Sequence, residues 1–424
     1  MKTIEGYNVK IFTDNIEESA IEQIKRLMSI DVFSSCKVRI IPDVHAGAGC
    51  VIGFTGDLGN KVIPNIVGVD IGCGILVQPF DCPKEIDFHA LHEYILSTIP
   101  SGRDYRNKEY LLLASKYIER YIETKGIIRQ LRCYRELKEV KRLDKSIGTL
   151  GGGNHFIELD KDELETYYLV VHTGSRNLGK QVAGIYQKLA VKCQSGWAEM
   201  IEEQNHLIAE YKQAGRKSEL QEIIRNLHNS FKIRKLPVHP DLAYLEGNFR
   251  EDYLHDMRLC QRWAMINRRL IADLILDFFT KNGYIDITDQ GTQNWAFESV
   301  HNYIGDDHII RKGAISAQKR EMCIIPMNMR DGSLICLGKG NEDWNCSAPH
   351  GAGRVMSRSQ AFKQISMKDF VQSMKGIYSE TVTDATKDES PMVYKPMDEI
   401  IQNIRETVST LRIIKPIFNF KAVE

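Results

Sequence analysis

Short runs of β-branched and other apolar residues, broken by glycine, proline and aspartate, dominate residues 37–80. Runs of this kind are typical of short strands that are joined by tight turns. Similar runs return at 167–171 and then at 284–287, 308–315, 322–328 and 333–338. The pattern therefore predicts strand-rich blocks that are separated from one another in the sequence.

Helical spacing of apolar residues marks the segments between these blocks. Residues 14–30 predict a first helix, with Asp14 as its cap, and residues 85–145 predict charged helices. Long polar and apolar helical patterns fill 180–281, with a break near Pro237, and a last helix is predicted at 397–410 before an apolar tail. We therefore predict an α+β fold, with a single mixed core of short β-strands that a largely helical insertion interrupts at roughly 180–281.

The stretch at 68–74, GVDIGCG, follows one of the predicted strands. The apolar residues within 62–67 predict a buried strand, so Asp70 and Cys73 would emerge where that strand ends. The glycines allow a sharp turn and the close approach of another group. A carboxylate and a thiolate at this spacing can face one cation, although a structural aspartate beside an inert buried cysteine is the alternative.

The composition narrows the class of protein. The 424 residues are enough for two or three domains or for one elaborate domain. Lys plus Arg and Asp plus Glu number 56 each, so any nucleic-acid site must be a local patch rather than a basic field. Ten cysteines without paired spacing favour reduced thiols inside the cell. The sequence shows no signal peptide and no apolar run long enough to span a membrane, which predicts a soluble cytoplasmic protein.

Three histidines stand beside small residues at strand ends, as Asp70 and Cys73 do: His155, His172 and His301. Any one of them taken alone is more simply a core or surface histidine. Together the five residues form a Cys, His and Asp set that suits zinc or a late transition metal, while the carboxylate and imidazoles also admit manganese. The set has more ligands than one tetrahedral ion needs, which points to two ions.

A second signal lies at 347–358, SAPHGAGRVMSR. Small residues beside His350 allow a large charged group to reach it, and Arg354 and Arg358 can hold phosphate. The histidine could serve as a base, a metal ligand or a nucleophile towards phosphorus. The alternative is a glycine-rich turn with surface arginines. The glycines at 151–153 could also bind phosphate through backbone amides, but no P-loop sequence follows them.

Eight strings carry a resemblance to a known family. In chain order they are PDVHAGAGCVIGF, IPNIVGVDIGCG, GTLGGGNHFIE, VHTGSRNLG, VHNYIG, RKGAISA, GKGN and HGAGRVMSR. Together they resemble the RtcB family of RNA ligases from about residue 40 to the C-terminus, whereas 180–280 matches only loosely. The resemblance implies a ligase domain over 1–424 whose strands surround a central metal and nucleotide cleft.

The resemblance also implies an activity and its partners. The expected enzyme uses GTP and two manganese ions to join an RNA 3′-phosphate or 2′,3′-cyclic phosphate to a 5′-hydroxyl, in RNA splicing or repair. His350 would be guanylylated, and the guanylate would pass to the RNA 3′-phosphate before the 5′-hydroxyl displaces it. The expected protein is a monomer, with an activating protein as a further partner in some settings.

Residue roles follow from the same resemblance. Cys73, His155 and His172 match one manganese position, and Cys73, Asp70 and His301 match the other. The nucleotide-pocket positions are Asn154, Glu158, Asn328, Ser333, Gly351, Ala352, Gly353, Tyr394 and Lys415, with Glu158 and Lys415 near the guanine edge. The positions expected near phosphates or RNA ends are Arg176, Asn302, Arg354 and Arg358.

Two departures from the family pattern affect the nucleotide pocket. Met327, Asn328 and Met329 replace a small Gly-Ser-Met loop, and Pro349 stands where a serine is usual. Two other function classes stay open on the residues alone: a metal-dependent phosphodiesterase or nuclease without a nucleotide cofactor, and a non-catalytic RNA-binding protein.

Overall fold

Two β-sheets of six and seven strands make up most of the strand content of the computed structural model, which describes residues 1–106, 114–232, 234–285 and 296–422. The strands are β1 (Lys2–Thr3), β2 (Val9–Ile11), β3 (Val38–His45), β4 (Ile52–Gly56), β5 (Lys61–Val62), β6 (Gly74–Phe80), β7 (Phe156–Lys161), β8 (Tyr167–Thr173), β9 (Leu245–Glu246), β10 (Phe297–Val300), β11 (Tyr303–Ile304), β12 (Ile310–Lys312), β13 (Ala314–Ser316), β14 (Met322–Asn328), β15 (Gly332–Gly338), β16 (Ser347–Pro349) and β17 (Val408–Lys421).

The helices fall between the strand-rich blocks. They are α1 (Glu18–Met28), α2 (Pro64–Val67), α3 (Phe88–Thr98), α4 (Ala114–Gln130), α5 (Val140–Asp144), α6 (Arg176–Lys192), α7 (Ala198–Gln213), α8 (Leu220–Ser230), α9 (Gly247–Lys281), α10 (Arg358–Gln364), α11 (Met367–Ser373) and α12 (Met397–Ile404). Each helix in the described ranges is too short or too polar to cross a membrane. The α+β fold is confirmed, and the segment predicted to be largely helical contains α6 to α9.

The seven-stranded sheet positions the site. Its strand order is β10-β6-β8-β7-β17-β15-β14. One face packs against α3 and α9 in the main hydrophobic core, which includes Leu159, Leu169 and Val171. On the other face, Phe156 pairs with His172 and Glu158 pairs with Val170. Residues that are paired across an antiparallel ladder point to the same side of the sheet, so this second face carries both apolar and chemically active side chains.

Three local predictions are wrong in detail. Helix α1 begins at Glu18 behind Glu17, and the Asp14 carboxylate instead accepts from the N-terminal ammonium at 3.1 Å. The last helix ends at Ile404, and the chain then runs as the 14-residue strand β17. β17 pairs with β15 on one side and β7 on the other, so sheet pairing overrides the local helical pattern there. The strand predicted at 284–287 lies partly outside the described residues, and Tyr284 and Ile285 are not in a strand.

Candidate metal centre and nucleotide pocket

The loop at 68–74 follows a one-turn helix rather than the end of a long strand. Only Lys61–Val62 is extended, because Pro64 starts α2 (Pro64–Val67); the proline ring fixes a helical φ and lacks the N–H that a first turn leaves free. Gly72 has φ +69, and a Cβ there would lie 2.7 Å from the Cα of Gln261 in α9. The loop therefore needs glycine in order to turn while it is pressed against α9.

This loop brings Cys73 beside the three histidines. Cys73 Sγ lies 3.3 Å from His172 Nε2 and 3.5 Å from His155 Nε2. His155 Nε2 lies 3.1 Å from Asp70 Oδ2. The donor atoms of Cys73, His172 and His301 lie within 4.8 Å of one another, and so do those of Asp70, Cys73 and His155. The five residues that the sequence singled out therefore lie together as two triads that share Cys73.

The triads differ from the grouping that the family resemblance implies. Within 4.8 Å, His155 clusters with Asp70 and Cys73, and His301 clusters with His172 and Cys73. The thiol is common to both clusters, and the division of the histidines between the two metal positions stays a prediction. Sequence order does not reveal such a grouping, because it depends on how the strand ends meet in space.

Hydrogen bonds fix the tautomers of two histidines. His155 Nδ1 lies 2.9 Å from Leu150 O, and His172 Nδ1 lies 3.0 Å from Asn154 O. A carbonyl oxygen only accepts, so each Nδ1 carries a proton. His172 Nε2 then presents a lone pair towards the Cys73 thiol, whereas His155 Nε2, 3.1 Å from the Asp70 carboxylate, needs a proton or a metal ion between the two groups. Among the described residues, the buried Nδ1 of His301 has no hydrogen-bond partner. The side chains are therefore oriented as metal ligation needs.

Burial also sets the charge state of the donors. It lowers the pKa of His172 and of His301 well below the usual histidine range, so both imidazoles are neutral ligands. Burial, and to a lesser extent the negative charge of Asp70, raises the pKa of the Cys73 thiol well above its usual range. Such a thiol becomes a thiolate only beside a cation. The donor set therefore fits a pair of divalent ions.

One turn of α9 holds the loops that carry these donors. Asn267 Oδ1 accepts from the Gly148 N–H at 2.7 Å, and its Nδ2 donates to Thr149 O at 3.0 Å. The next residue, Arg268, is fully buried and donates to Gly72 O at 2.8 Å and to Thr173 O at 3.0 Å. Its Nη2 also donates to the carboxylate of Glu298 at 2.9 Å, on the strand that leads to His301. A helix within the segment predicted as an insertion therefore supports every part of the metal centre.

His350 lies next to the metal centre. Its ring centroid is 4.8 Å from that of His301. His350 Nδ1 donates to Asp43 Oδ2 at 2.6 Å, and the His350 backbone N–H donates to the same oxygen at 3.2 Å. Asp43 is fully buried on β3. This carboxylate holds the imidazole in the tautomer that leaves a lone pair on Nε2.

A cavity opens between His350 and the second face of the seven-stranded sheet. Most predicted nucleotide and phosphate residues line it. The lining residues are His45, Asn154, Phe156, Glu158, His172, Pro326, Met327, Asn328, Met329, His350, Gly351, Ala352, Gly353, Arg354, Arg358, Glu389, Tyr394 and Lys421. Gly353, at φ +76, passes so close to the backbone of Asp43 that a Cβ would lie 2.6 Å from its carbonyl oxygen.

The lysine at the Glu158 end of the cavity is Lys421 rather than Lys415. Lys415 pairs with Lys161, Pro416 with Asp160, and Phe418 with Leu159. The extra residue in β17 is a β-bulge, which reverses the side to which later residues point. Asn419 then lies opposite Glu158 and Lys421 opposite Phe156, while Lys415 points to the other face. A sequence carries no clear signal for such a bulge.

Glu158 has an unusual charge state. Burial raises its pKa to about 7, although Lys421 and a hydrogen bond from Asn419 both lower it. Its neighbour Asp160 is also fully buried. Burial, and to a lesser extent the charge of Glu158, raises the pKa of Asp160 well above the usual range. Both oxygens of Asp160 lack a partner among the described residues. Burial therefore favours the protonated form of both carboxyl groups.

Cations gather around Glu389 in the same cavity, and Lys421, which also interacts with Glu158, is one of them. Arg354 lies 3.2 Å, Arg358 3.0 Å and Lys421 2.9 Å from its carboxylate oxygens, and Tyr394 donates to it at 2.6 Å. Burial alone would raise the pKa of Glu389, but the three cations bring it to about 2. Arg358 also pairs with Asp388. The predicted phosphate-binding side chains are therefore held in place by buried carboxylates.

Besides Lys415, three of the predicted nucleotide and phosphate residues do not line the cavity. Ser333 is fully buried, and its hydroxyl has no partner among the described residues. Arg176 donates to Thr149 Oγ1 at 3.1 Å and to Gly102 O at 2.8 Å. Asn302 donates to Asp70 O at 3.3 Å and accepts from the Gly313 N–H at 2.9 Å, so its amide braces the metal loop.

The two departures from the family pattern have local roles. Met327 and Met329 are buried while they line the cavity. Asn328 Oδ1 accepts from the Arg330 N–H at 3.0 Å and the Asp331 N–H at 2.9 Å, which closes the turn between β14 and β15. Pro349 pairs with Ala314 at the end of β16 and delivers the chain to His350.

Comparison with known proteins places the chain in a family. A family model described as tRNA-splicing ligase RtcB matches residues 23–422. The chain belongs to the RtcB family. It is 29% identical to the RNA-splicing ligase RtcB of Escherichia coli K12, over 97% of each chain. It is 26% identical to the tRNA-splicing ligase RtcB of Aeropyrum pernix, over 86% of this chain and 83% of the relative.

Sequence reasoning missed several residues of this RtcB site. Asp43 lies in the quoted string PDVHAGAGCVIGF, where an aspartate two residues before a histidine is the only available signal. Asn267, Arg268 and Glu389 lie in segments that read as ordinary polar helix or loop. Each acts through a partner distant in sequence, so no local pattern marks it.

Replacing Arg268 tests the support that α9 gives to the metal centre. Arg268→Leu leaves the Gly72 and Thr173 carbonyls and part of Glu298 without a donor. We expect the free energy of unfolding in urea to fall by about 3 kcal/mol and the affinity for a divalent metal ion to fall with it. The matched control is Arg269→Leu, since Arg269 pairs with the other Glu298 oxygen at 3.0 Å from a largely exposed position. That variant should lose less than about 1 kcal/mol. Equal losses in the two variants would contradict the assignment.

Proposed function

We propose that this protein is a GTP- and manganese-dependent RNA ligase, which joins RNA 3′-phosphate or 2′,3′-cyclic phosphate ends to 5′-hydroxyl ends. Relatives in the RtcB family are named RNA-splicing and tRNA-splicing ligases. The position of His350 supports the proposal most directly, because this residue borders both the cavity and the metal centre and is oriented by Asp43.

The proposed chemistry begins at His350 Nε2. This atom attacks the α-phosphorus of GTP, so that a P–N bond forms as the bond to pyrophosphate breaks. An oxygen of the RNA 3′-phosphate then displaces His350 from the phosphorus, which leaves a guanylate on the RNA. Attack by the RNA 5′-hydroxyl finally releases GMP and closes the phosphodiester. A cyclic end must first be opened by water to the 3′-phosphate.

The metal-binding role falls to the two triads around Cys73. Asp70, Cys73 and His155 would hold one ion, and Cys73, His172 and His301 would hold the other. Manganese bound there would neutralise negative charge on the phosphate oxygens during each transfer. Asp43 keeps the proton on His350 Nδ1, and the turn of α9 at Arg268 holds the two triads in position.

The cavity suggests how GTP is held. Glu158 would accept hydrogen bonds from guanine N1 and N2, and we assign the lysine at that end to Lys421 in place of Lys415. Asn154 and Tyr394 line the cavity and remain proposed pocket residues, whereas Ser333 does not line it and stays a prediction from the resemblance. The other proposed pocket positions are the backbone of residues 351–353 and the turn at Asn328. Both would lie close to the nucleotide.

The RNA ends and phosphates would meet the remaining cations. Arg354 and Arg358 line the cavity and are proposed to contact phosphate. Arg176 lies near Asp70, whose negative charge opposes the effect of burial on the arginine pKa; we retain it as a candidate for an RNA end. Asn302 would act by bracing Asp70 rather than through direct contact with RNA.

A phosphodiesterase is the main rival. Such an enzyme could use the two metal triads to activate water, but it would need neither an oriented histidine beside the metal centre nor a buried carboxyl at the base end of a cavity. The Asp43–His350 pair and Glu158 therefore favour ligation.

A His350→Ala variant separates the two halves of the proposed reaction. It should take no label from α-labelled GTP with manganese and should not join 3′-phosphate ends, because the nucleophile is lost. RNA that already carries a 3′-guanylate should still be joined to a 5′-hydroxyl. Cys73→Ala is the contrasting variant, since it removes the ligand common to both triads and should abolish both activities. If His350→Ala also fails with pre-guanylylated RNA while it binds manganese normally, the nucleophile assignment is wrong.

The pKa of Glu158 predicts a pH dependence of GTP binding. Its folded-state pKa of about 7 lies above the ordinary value of 4.5, so the folded protein holds this proton more tightly than the unfolded chain. Its contribution to stability is therefore complete below about pH 4.5 and declines as the pH rises towards about 7. Guanine needs the ionised form, so GTP affinity should rise up to about tenfold per pH unit and level off above about pH 7.

Calorimetric titration of GTP from acid to alkaline pH measures this effect. Glu158→Gln should flatten the profile and reduce the preference for GTP over ATP, because adenine lacks the paired donors that a carboxylate accepts. Glu163→Gln is the matched control, since Glu163 is exposed on the same segment. A GTP profile unchanged by Glu158→Gln would contradict the guanine assignment.

A further inference from the structure

A second cluster of metal-binding side chains lies away from Cys73, where α3 meets the segment at 378–381. We propose that His89, His92, Glu93 and Glu380 form a separate site for a borderline divalent ion such as zinc. Within the ranges that the structure describes, three groups of donors lie close enough to share an ion. Two contain Cys73, and the third is His89, Glu93 and Glu380, whose donor atoms lie within 4.8 Å of one another.

Helix α3 supplies three of the four donors from one face. His89, His92 and Glu93 are spaced at i, i+3 and i+4, which places their side chains on neighbouring turns. The helix start is fixed because Asp87 Oδ1 accepts from the Ala90 N–H at 2.9 Å. The donors therefore sit on a rigid element rather than on a loop.

Glu380 reaches this face from a segment that is itself anchored. The Tyr378 N–H donates to Ile417 O at 3.0 Å, and the Asn419 N–H donates to Tyr378 O at 2.9 Å, so the segment pairs with β17. Glu380 Oε1 lies 2.9 Å from His89 Nδ1. Its other oxygen, Oε2, lies 3.6 Å from His92 Nε2. Glu380 thus places one carboxylate oxygen near each histidine.

His92 gives separate evidence that this cluster binds a metal ion. Its side chain is only 5% exposed, and Nε2 points at Glu380 from a distance beyond that of a hydrogen bond. Its Nδ1, on the other edge of the ring, has no partner in the described part of the chain. Buried imidazoles are ordinarily hydrogen-bonded or metal-bound. An ion bound between His92 Nε2 and Glu380 Oε2 would give the ring a partner on the edge that faces Glu380, at a separation that suits two ligands of one metal.

The charges around the cluster favour a cation. The Glu380 carboxylate lies 2.9 Å from His89 Nδ1 and also accepts a hydrogen bond from the Tyr378 hydroxyl. Glu93 adds a second carboxylate within 4.8 Å of these donor atoms. Two imidazoles with two carboxylates suit zinc better than magnesium or calcium, which prefer oxygen ligands alone.

Such an ion would connect two parts of the protein. The segment at 378–381 is hydrogen-bonded to β17 near Asn419, and Thr381 Oγ1 accepts from the Lys421 N–H at 3.0 Å. An ion that joins α3 to Glu380 would therefore stabilise the strand that carries Lys421. This site is independent of the proposed ligase chemistry, since none of its four donors lines the cavity.

Zinc binding to defined variants tests the proposal. The unaltered protein and the variants His89→Ala and Glu380→Gln are equilibrated with zinc, freed of loose metal, and assayed for zinc per chain by mass spectrometry. Each variant should hold one equivalent less than the unaltered protein, whatever the occupancy of the Cys73 centre. His206→Ala is the matched control, because His206 and Glu210 form an exposed i, i+4 pair 4.0 Å apart on α7 without a third donor. This variant should keep the full amount.

A second measurement isolates the new site. In a Cys73→Ala background, titration with zinc should show one equivalent bound, and adding His89→Ala should weaken that binding at least tenfold. Zinc should also raise the melting temperature of the single variant but not of the double variant. Equal zinc content in the unaltered protein, His89→Ala and Glu380→Gln would overturn the proposal and identify the cluster as an ion-pair network only.

Discussion

The buried guanidinium of Arg268 is the interaction on which the metal centre depends. It binds the carbonyl oxygens of Gly72 and Thr173 and the carboxylate of Glu298, and these residues adjoin or lead to Cys73, His172 and His301. A fully buried cation must find compensating acceptors, and here the acceptors are the backbone of the ligand loops themselves. The need to compensate this buried charge therefore also fixes the positions of the loops that carry the ligands.

The cavity beside His350 shows the same principle with the charges reversed. The buried carboxylate of Glu389 collects Arg354, Arg358 and Lys421, which would otherwise be mobile side chains on a surface. On the far side, Asp43 holds His350 through one ring nitrogen and one backbone N–H. In both places a buried carboxylate orients a group that borders the cavity, which is how a site is prepared before its substrate arrives.

Much of this arrangement was predictable because its signals are local. Glycines beside Asp70, Cys73, His155 and His350 mark places where the backbone turns and a ligand can approach, and the structure brings these residues together. The α+β fold was predictable because apolar residues recur along the chain at the spacing of strands in some segments and of helices in others. The rest depends on contacts that are distant in sequence. The bulge in β17 moves Lys421 rather than Lys415 to the Glu158 face, and pairing with two neighbours makes 408–421 a strand. The partition of the histidines and the role of α9 arise only when separate strand ends meet.

The proposed function depends on covalent guanylylation of His350, which can be measured directly. The protein is incubated with GTP labelled in the α-phosphate and with manganese, digested at alkaline pH, and the labelled peptide is sequenced by mass spectrometry. We expect a single acid-labile, alkali-stable guanylate on the peptide that contains His350. A label that maps to another residue would refute His350 as the nucleophile.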